Sequence, residues 1–402
     1  MKKLLVLAAG ILQMPVIKKA KEMGLYVIAA DGIPDAVGLQ YADKAVIANI
    51  TSEDEMLGIA RQEQIDGVIH PCSEVSMNVM GRINDELGLS GVTRQQAILA
   101  TNKHLMRMAF EKNNAPSPRT FCFANADEAW TCYCNEFTGD GILKPSRNSG
   151  SRGVNIVHKD ITEEKFAELF ERSMSESRDK SVMLEQYVSG VEFSVEIIVW
   201  NGQINVMAVT DKKTTGSPYF VELGHNQPSC FPKDIVEAVK KAAIAGVKAL
   251  GVNNCACHAE VKISDSTVKV EPYIIEVGAR LGGDFICTEL VHLSTGVDMV
   301  AAAINCALGI KPSFEATSKT QGVCIRYFCP KPGKLKSISN TEVLANPNVY
   351  QWELYHKIGD TIPEVKSSLC RSGHLIVTEK TPEMAIELAE RLINEVKLET
   401  VS

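Results

Sequence analysis

Residues 142–154 read Ile-Leu-Lys-Pro-Ser-Arg-Asn-Ser-Gly-Ser-Arg-Gly-Val. The apolar start predicts the end of a buried strand, and the eight residues after Pro145 include two glycines and two arginines. Small residues let backbone N–H groups approach an anion closely, and flanking cations hold it by charge. The stretch therefore favours a phosphate-binding loop. A surface hairpin whose glycines only make the turn is the alternative that this stretch alone leaves open.

The bulk composition indicates a globular protein of several domains. With 402 residues the chain is too long for one compact core, so about two to four domains are expected. Hydrophobic residues make up 45% and charged residues 23% of the chain, which is ordinary for a soluble enzyme and excludes wholesale disorder. The formal net charge of -7 comes without a dense block of lysines and arginines. It argues against a nucleic-acid partner and favours small-molecule partners.

The N-terminus and the cysteines predict a cytoplasmic protein. The first apolar run stops at Gly10 without a small-residue cleavage site, which favours a buried strand over a signal peptide. No segment reaches the roughly 18 consecutive apolar residues of a membrane span. The twelve cysteines lack framework spacing and fit reduced thiols. The close pairs Cys132 with Cys134 and Cys255 with Cys257 do not have the spacing of a zinc site.

Residues 1–100 predict a parallel α/β domain. Apolar strands at residues 4–9 and 26–30 flank a run of helix formers, and a third unit of the same kind follows. Alternating strands and helices imply a parallel sheet covered on both faces. A nicotinamide dinucleotide site is the tempting inference, because Asp31 follows Gly10 at about the usual distance. The Gly-x-Gly-x-x-Gly series is absent, so this alternative is disfavoured.

The remaining chain predicts mixed α and β structure. A capped helix from about residue 101 leads into a small α+β unit of about 80 residues that contains the glycine loop. Asn201-Gly202 predicts a hairpin between two long strands, whereas residues 211–232 show no regular pattern. Residues 311–402 hold three strands and a final amphipathic helix, which predicts a small packing domain.

Two carboxylates are expected to face each other. If the loop between strands 257–262 and 273–277 is centred near residue 268, Glu260 and Glu276 lie opposite on adjacent antiparallel strands. Like charges at that spacing are destabilising unless a cation lies between them, and magnesium with phosphate ligands suits so sparse a carboxylate set. Two solvated strand acids paired to lysines such as Lys262 are the alternative.

The order of these features resembles the ATP-grasp superfamily over nearly the whole chain. The residues that carry the resemblance are Lys103 and residues 143–145, 148–154, 185–192, 258–261 and 275–280. The resemblance implies an N-terminal Rossmann-like (pre-ATP-grasp) domain at residues 1–100 and an ATP-grasp domain at residues 101–310. The latter would comprise a lid subdomain at about 115–184 and a larger subdomain at about 185–310. A small C-terminal α+β domain would fill residues 311–402.

The resemblance also implies an ATP site. Lys103 and Lys144 would bind phosphates, and the glycine loop would close over them. Glu185 would accept from the adenine amino group and Glu192 would hold the ribose. The full set of residues assigned to the nucleotide is Lys103, Lys144, Ser149, Gly150, Ser151, Gly153, Glu185, Gln186, Val188 and Glu192.

Metal and substrate residues follow from the same resemblance. Glu260 and Glu276 would bind Mg²⁺ (or Mn²⁺), and Arg280 would stabilise charge on the transferring phosphoryl group or on a tetrahedral intermediate. The family usually reads Glu-x-Asn-x-Arg, but Gly278 replaces the asparagine. One metal is therefore expected and a second stays open. Further candidates are Lys212 for catalysis and Glu74 and His225 for the far end of the pocket.

The activity implied is an ATP-dependent carboxylate–amine ligase that works through an acyl phosphate on an amino acid or another small carboxylate. The sequence is similar to the L-amino-acid ligases and to the branch of the carbamoyl-phosphate synthase large subunit and the phosphoribosylglycinamide synthetases. Ligases of that second branch and a non-catalytic nucleotide sensor are the alternatives. The partners expected are a small carboxylate and an amine, without nucleic acid or membrane and with a homodimer as the plausible assembly. The sequence does not name the two substrates.

Overall fold

The computed structural model describes residues 1–148, 152–265 and 270–401. Ser149, Gly150 and Ser151 of the predicted phosphate-binding loop lie outside the described residues.

The N-terminal part is a parallel sheet with helices, as the alternating pattern predicted. Its elements are β1 (Lys3–Leu7), α1 (Met14–Glu22), β2 (Tyr26–Asp31), β3 (Lys44–Ile47), α2 (Glu53–Glu63), β4 (Gly67–Ile69), α3 (Met77–Leu87) and α4 (Arg94–Thr101). The strands pair in the parallel order β3-β2-β1-β4. Strand β3 was not anticipated, because its four residues are exposed or half-buried and carry no long apolar run.

A small antiparallel sheet follows. Its elements are α5 (Lys103–Lys112), β5 (Thr120–Phe123), α6 (Ala126–Glu136), β6 (Gly141–Pro145), β7 (Asn155–Val157), α7 (Glu163–Ser175) and β8 (Val182–Gln186). The strand order is β5-β8-β6-β7, and α7 packs on the sheet through Phe166 and Phe170. The Asn102 side chain caps α5 by accepting from Leu105 N at 3.0 Å, which fixes the helix start where the sequence placed it.

A large antiparallel sheet carries the rest of the chain. Its strands are β9 (Gly190–Trp200), β10 (Gln203–Thr214), β11 (Glu222–Gln227), β12 (Cys255–Ser264), β13 (Pro272–Gly278), β14 (Gly322–Tyr327), β16 (Val349–Leu354) and β18 (Gly373–Glu379), in the order β13-β12-β9-β10-β11-β14-β18-β16. The predicted hairpin joins β9 to β10, with positive φ at Asn201 and Gly202. Residues 211–232 were expected to be irregular, but they continue β10 and form β11. Strand β11 is largely buried even though its sequence is polar.

The large sheet runs through the expected boundary at residue 310 without a break. Helices and minor strands complete this part: α8 (Lys233–Leu250), a π-helical turn (Ile286–Leu290), α9 (Val291–Thr295), α10 (Met299–Ala307), β15 (Gly333–Ser339), β17 (Thr361–Ile362), α11 (Pro382–Glu395) and β19 (Lys397–Val401). Helix α8 covers one face of β12 and β13, and α11 packs on β14 and β18. No helix among the described residues is both long and apolar enough to span a membrane.

Candidate active site

A cavity of about 440 Å³ has walls from the small sheet, the large sheet and the C-terminal region. The residues singled out from the sequence that line it are Glu74, Lys103, Lys144, Glu185, Gln186, Val188, Glu192, Lys212, His225, Glu260, Glu276 and Arg280. A volume of this size is typical of a small-molecule site. The structure therefore brings residues from a span of more than 200 positions into one pocket.

Gly153 supports the wall next to this cavity. Its φ is +74°, and a Cβ there would lie 2.9 Å from Pro145 Cγ and 2.9 Å from Glu176 Cβ. Glycine is thus required both for the backbone conformation and for the close packing.

The floor of the cavity is one polar face of the large sheet. Alternate residues of a strand point to the same side, and the register places Lys262 beside Glu192, Glu260 beside Ser194 and His258 beside Glu196. This face is buried enough that Ser194 and Glu196 have no exposed surface. Charged groups on a face so well covered indicate a binding site rather than a packing surface.

Glu260 and Glu276 are register partners on β12 and β13, so the expected apposition of two carboxylates is confirmed. A lysine meets each of them: Lys212 Nζ lies 2.9 Å from Glu260 Oε1, and Lys103 Nζ lies 2.7 Å from Glu276 Oε1. The acids are not the solvated strand residues of the alternative interpretation, because both face the cavity. Lys262 contacts Glu192 instead, at 3.8 Å.

Lys212 sits among three glutamates. Its Nζ lies 2.5 Å from Glu192 Oε1 and 3.8 Å from Glu222 Oε1, in addition to Glu260. Burial disfavours the charged lysine, but Glu192, Glu260 and Glu222 together raise the pKa of Lys212 well above its usual value. Lys212 is therefore a fixed positive charge beside the paired carboxylates.

Lys144 and Glu185 form a second buried cluster with Arg107. Lys144 Nζ lies 2.5 Å from Glu185 Oε2, while Arg107 donates to Glu185 Oε1 at 2.8 Å and to Ile275 O at 2.7 Å. Burial opposes the charge on Glu185, but Arg107 and Lys144 lower the pKa of this carboxyl to about 2. Burial lowers the pKa of Lys144 to about 8, with Glu185 acting in the opposite direction.

The contacts of Glu185 already occupy the carboxylate that the resemblance assigned to the adenine amino group. Both carboxylate oxygens already accept from cations, and Thr120 also donates to Oε1 at 3.2 Å. In this state the side chain holds Lys144 and Arg107 and has no oxygen left over for an adenine amino group. Arg107 was not predicted as a site residue, although it lies one helical turn after Lys103, where the side chains of a helix meet on one face.

Arg280 lines the cavity and forms an ion pair with Glu74. Its Nη2 is 3.2 Å from Glu74 Oε1. Burial and the nearby Glu276 raise the pKa of Glu74 above its usual value, although Arg280 acts in the opposite direction. A Cβ at Gly278 would lie 3.2 Å from Arg280 Nε and 3.3 Å from Cζ. The glycine that replaces the usual asparagine therefore leaves room for the guanidinium.

The carboxylates present fit one divalent cation. Mg²⁺ commonly takes one or two protein carboxylates and completes its shell with substrate phosphates and water, which Glu260 and Glu276 satisfy. Among the described residues no group of three or more His, Cys, Asp and Glu side chains has a metal-binding arrangement. Gly278 has no side-chain oxygen, so the ligand that the usual asparagine would supply is absent at this position.

A buried chain of polar groups supports Glu260 from behind. His258 Nδ1 lies 2.5 Å from Glu196 Oε1, and Cys287 Sγ donates to Glu196 Oε2 at 2.8 Å. Burial lowers the pKa of His258, but Glu196 outweighs it and raises that pKa to about 9. His258 Nε2 is 3.6 Å from Glu260 Oε1. Neither His258 nor Glu196 was predicted as a site residue, although alternation along β9 and β12 places both on the floor of the cavity.

The C-terminal region closes the far end. Arg371 donates from two nitrogens to the two oxygens of Asp284, each at 2.7 Å. Ser368 donates to Glu222 Oε2 at 2.9 Å and lines the cavity. His225 Nε2 lies 3.3 Å from Asp284 Oδ2, the oxygen that also accepts from Arg371. No local sequence signal identifies Arg371 or Ser368, because their position depends on how the C-terminal strands join the large sheet.

Comparison with known families agrees with this architecture. A family described as "ATP-grasp domain" matches residues 139–289, and one described as "L-amino acid ligase C-terminal domain 2" matches residues 326–401. Alanine–anticapsin ligase from Bacillus subtilis strain 168 is 28% identical over 278 residues, which are 62% of this chain and 55% of that protein. Carnosine synthase 1 from Gallus gallus is 30% identical over 132 residues, which are 33% of this chain and 14% of that protein. The chain spans about half or less of the length of these curated relatives.

Solved structures match the whole chain. Phosphoribosylglycinamide synthetase from Anaerococcus prevotii superposes with a TM-score of 0.79 at 26% identity, covering 100% of both chains. L-amino acid ligase from Bacillus licheniformis superposes with a TM-score of 0.83 at 20% identity, covering 100% of this chain and 99% of that one. The ATP-grasp fold expected from the sequence is thereby confirmed.

Proposed function

The chain carries an ATP-grasp domain and an L-amino acid ligase C-terminal domain, and on that premise we propose that it is an ATP-dependent carboxylate–amine ligase. The carboxylate is an amino acid or another small acid, and it is activated as an acyl phosphate. The single observation that carries this proposal is that one cavity holds three lysines (Lys103, Lys144 and Lys212), two apposed carboxylates and an arginine.

The cavity has a nucleotide side and a substrate side. Lys144 and the segment from Glu185 to Val188 line the nucleotide side, where Lys144 and Lys103 bind phosphate oxygens. Glu192 and Lys262 face the ribose. Glu260 and Glu276 would hold Mg²⁺ (or Mn²⁺), which would neutralise charge on the phosphates.

The substrate side supplies charge stabilisation. Arg280 and Lys212 line the same cavity as the paired carboxylates, and they stabilise negative charge on the transferring phosphoryl group and on the tetrahedral adduct that follows. Glu74 positions Arg280 through their ion pair. No side-chain nucleophile is required, because phosphate itself becomes the leaving group.

The domain boundaries, the assembly and the location of the protein are proposals too. We propose domains at residues 1–100, 101–310 and 311–402, with a lid subdomain at about 115–184, and the two matched family ranges fall within the last two. A homodimer and a cytoplasmic location are also proposed. All twelve cysteines are unpaired, which supports a reducing compartment.

The test is a substrate screen that reads release of ADP and phosphate. The protein is incubated with ATP, Mg²⁺ and pools of amino acids, first as the only substrates and then with other small carboxylates. Turnover that needs both a carboxylate and an amine is expected. ATP binding by calorimetry without ADP release under any pool would instead favour the nucleotide sensor.

A phosphoribosylglycinamide synthetase-like ligase is the second candidate. The full-length match at 26% identity to the Anaerococcus prevotii enzyme favours it, whereas the match of residues 326–401 favours an amino-acid ligase. Turnover with glycine and a phosphoribosylamine, but not with amino-acid pairs, would decide for this second candidate.

A further inference from the structure

Among the described residues, one ring nitrogen of His225 has a hydrogen-bond partner and the other has none. Its side chain lies on the cavity floor next to Lys212, its register partner on β10. Nε2 lies 3.3 Å from Asp284 Oδ2. Nδ1 is buried and has no hydrogen-bond partner among the residues that the structure describes. A buried polar atom without a partner is costly, so its position beside a binding cavity calls for a function.

Asp284 is built to orient this ring. Arg371 holds both of its oxygens, and Tyr327 Oη donates to its backbone carbonyl at 3.4 Å. Burial opposes the charge on Asp284, but hydrogen bonds from Arg371 and His225 keep the pKa of this carboxyl well below its usual range. An ionised Asp284 accepts from Nε2–H, which leaves the lone pair on Nδ1.

The arrangement is the one that makes histidine a proton acceptor. A carboxylate behind one nitrogen fixes the tautomer and stabilises the imidazolium that forms when the other nitrogen takes a proton. The other charged groups nearby are Lys212 on β10, Glu222 on β11 and Arg326 on β14, which donates to the carbonyl of His225 at 3.5 Å. Lys212 is already shared by three glutamates.

We propose that His225 Nδ1 is the general base that takes a proton from the ammonium group of the amine substrate. The proposal rests on the proposed ligase activity. An amino acid offers its amine mainly as ammonium near neutral pH, and ammonium has no lone pair with which to attack.

His225 takes one proton from R–NH₃⁺ and becomes imidazolium, which later returns that proton to water. The nitrogen lone pair of R–NH₂ forms the C–N bond with the acyl carbon. The bond from that carbon to the phosphate oxygen breaks, and phosphate leaves with the electron pair and takes the second proton of the nitrogen.

Hydroxylamine separates the two halves of the reaction. It is a weaker base than an amino acid, is largely unprotonated at neutral pH, and converts an acyl phosphate to a hydroxamate without needing a base. The protein is assayed with ATP, Mg²⁺ and each of the twenty common amino acids as carboxylate, with hydroxylamine as the nucleophile. Every acid that gives hydroxamate is then paired with the amino-acid pool as the amine.

The expected result is a split between the two nucleophiles. His225→Gln should lower amide formation by about 10²- to 10⁴-fold, the usual contribution of general base catalysis, while hydroxamate formation falls less than about threefold. Raising the pH from 7 to 9 should restore part of the amide rate in the variant. Asp284→Asn should show the same split more weakly, and His158→Gln, at an exposed histidine, should match the wild type.

Two outcomes overturn the proposal without touching the ligase activity. Equal loss of hydroxamate and amide in His225→Gln would make the residue structural, and full amide formation would show that no base is needed there. A wild-type protein that forms neither hydroxamate nor ADP with any acid would overturn the ligase activity and this inference together.

Discussion

The Lys144 ammonium and the Glu185 carboxylate form a buried ion pair with 2.5 Å between Nζ and Oε2. Burial outweighs this pairing and lowers the pKa of Lys144 to about 8. Lys144, which we propose binds the nucleotide phosphates, is therefore close to losing its charge just above neutral pH. Its pairing with Glu185 is what keeps it a cation at pH 7.

Nucleotide binding should weaken as the pH rises through 8. Neutral Lys144 cannot pair with phosphate, so the Kd for ATP should increase several-fold between pH 7 and pH 9, as measured by calorimetry. Lys144→Arg, which stays charged over this range, should flatten the profile, and Lys144→Ala should abolish nucleotide-dependent turnover. Lys159→Ala, at an exposed lysine, is the control, and a flat wild-type profile would contradict the prediction.

Removal of either apposed carboxylate should weaken metal-dependent nucleotide binding. Glu276→Gln and Glu260→Gln each delete one of the two carboxylates available to a single Mg²⁺. The gain in ATP affinity on adding Mg²⁺ should shrink at least tenfold in each variant, while affinity without metal changes little or improves. Glu164→Gln, at an exposed glutamate, should behave as wild type. Metal enhancement that survives in both variants would place the cation elsewhere.

Replacing Gly278 by the asparagine that the ATP-grasp pattern usually has at this position should lower the activity of this protein. In Gly278→Asn the new Cβ would meet the Arg280 guanidinium at 3.2–3.5 Å, so the guanidinium must shift by a few tenths of an ångström, which strains its pairing with Glu74. We expect kcat to fall about tenfold or more with little change in ATP affinity. Gly278→Ala adds the same Cβ without the amide. If the Asn variant is as active as wild type and binds a second metal ion, the steric explanation fails.

Acid should destabilise the protein through a buried histidine. Burial, aided by Arg371, lowers the pKa of His374 to about 4 from 6.5. Between these values the unfolded chain binds the proton and the folded one does not, so stability falls as the pH drops, by up to about 1.4 kcal/mol per pH unit. The Tm should therefore fall from pH 7 to pH 5.

A variant isolates the contribution of this histidine. His374→Gln should have a lower Tm at pH 7, because it loses the ring contact with Phe285, but its further drop at pH 5 should be smaller than in the wild type. His70, whose pKa burial also lowers to about 4, keeps part of the drop in place. An identical drop in wild type and variant would exclude His374 as a source.

Much of the fold could be predicted because local patterns coincide with it. The parallel start, the capped helix before the small sheet, the hairpin at Asn201-Gly202 and the apposition of Glu260 with Glu276 all follow from alternation and turn chemistry. Strand β11 could not be predicted, because His225, Asn226 and Gln227 are polar residues buried by neighbouring strands.

The parts of the site that were missed depend on long-range packing. Arg107 becomes meaningful only when α5 is placed beside β8, which brings it to Glu185. Arg371 reaches Asp284 across 87 positions of the chain, and no spacing rule connects two such residues. Site residues can be predicted from the sequence when several of them share one strand or one turn. They are missed when separate elements contribute one residue each.

The unbroken large sheet has a consequence for how this protein can be divided. Strand β14 continues the hydrogen-bonded ladder of β11, and Arg371 and Ser368 form part of the cavity wall. Cutting the chain near residue 310 would leave the backbone groups of β11 unpaired along the edge that β14 now covers, and it would open the pocket to water. A hybrid that exchanges the C-terminal region between relatives would thus inherit the donor's pocket wall, and its substrate range should change together with that region.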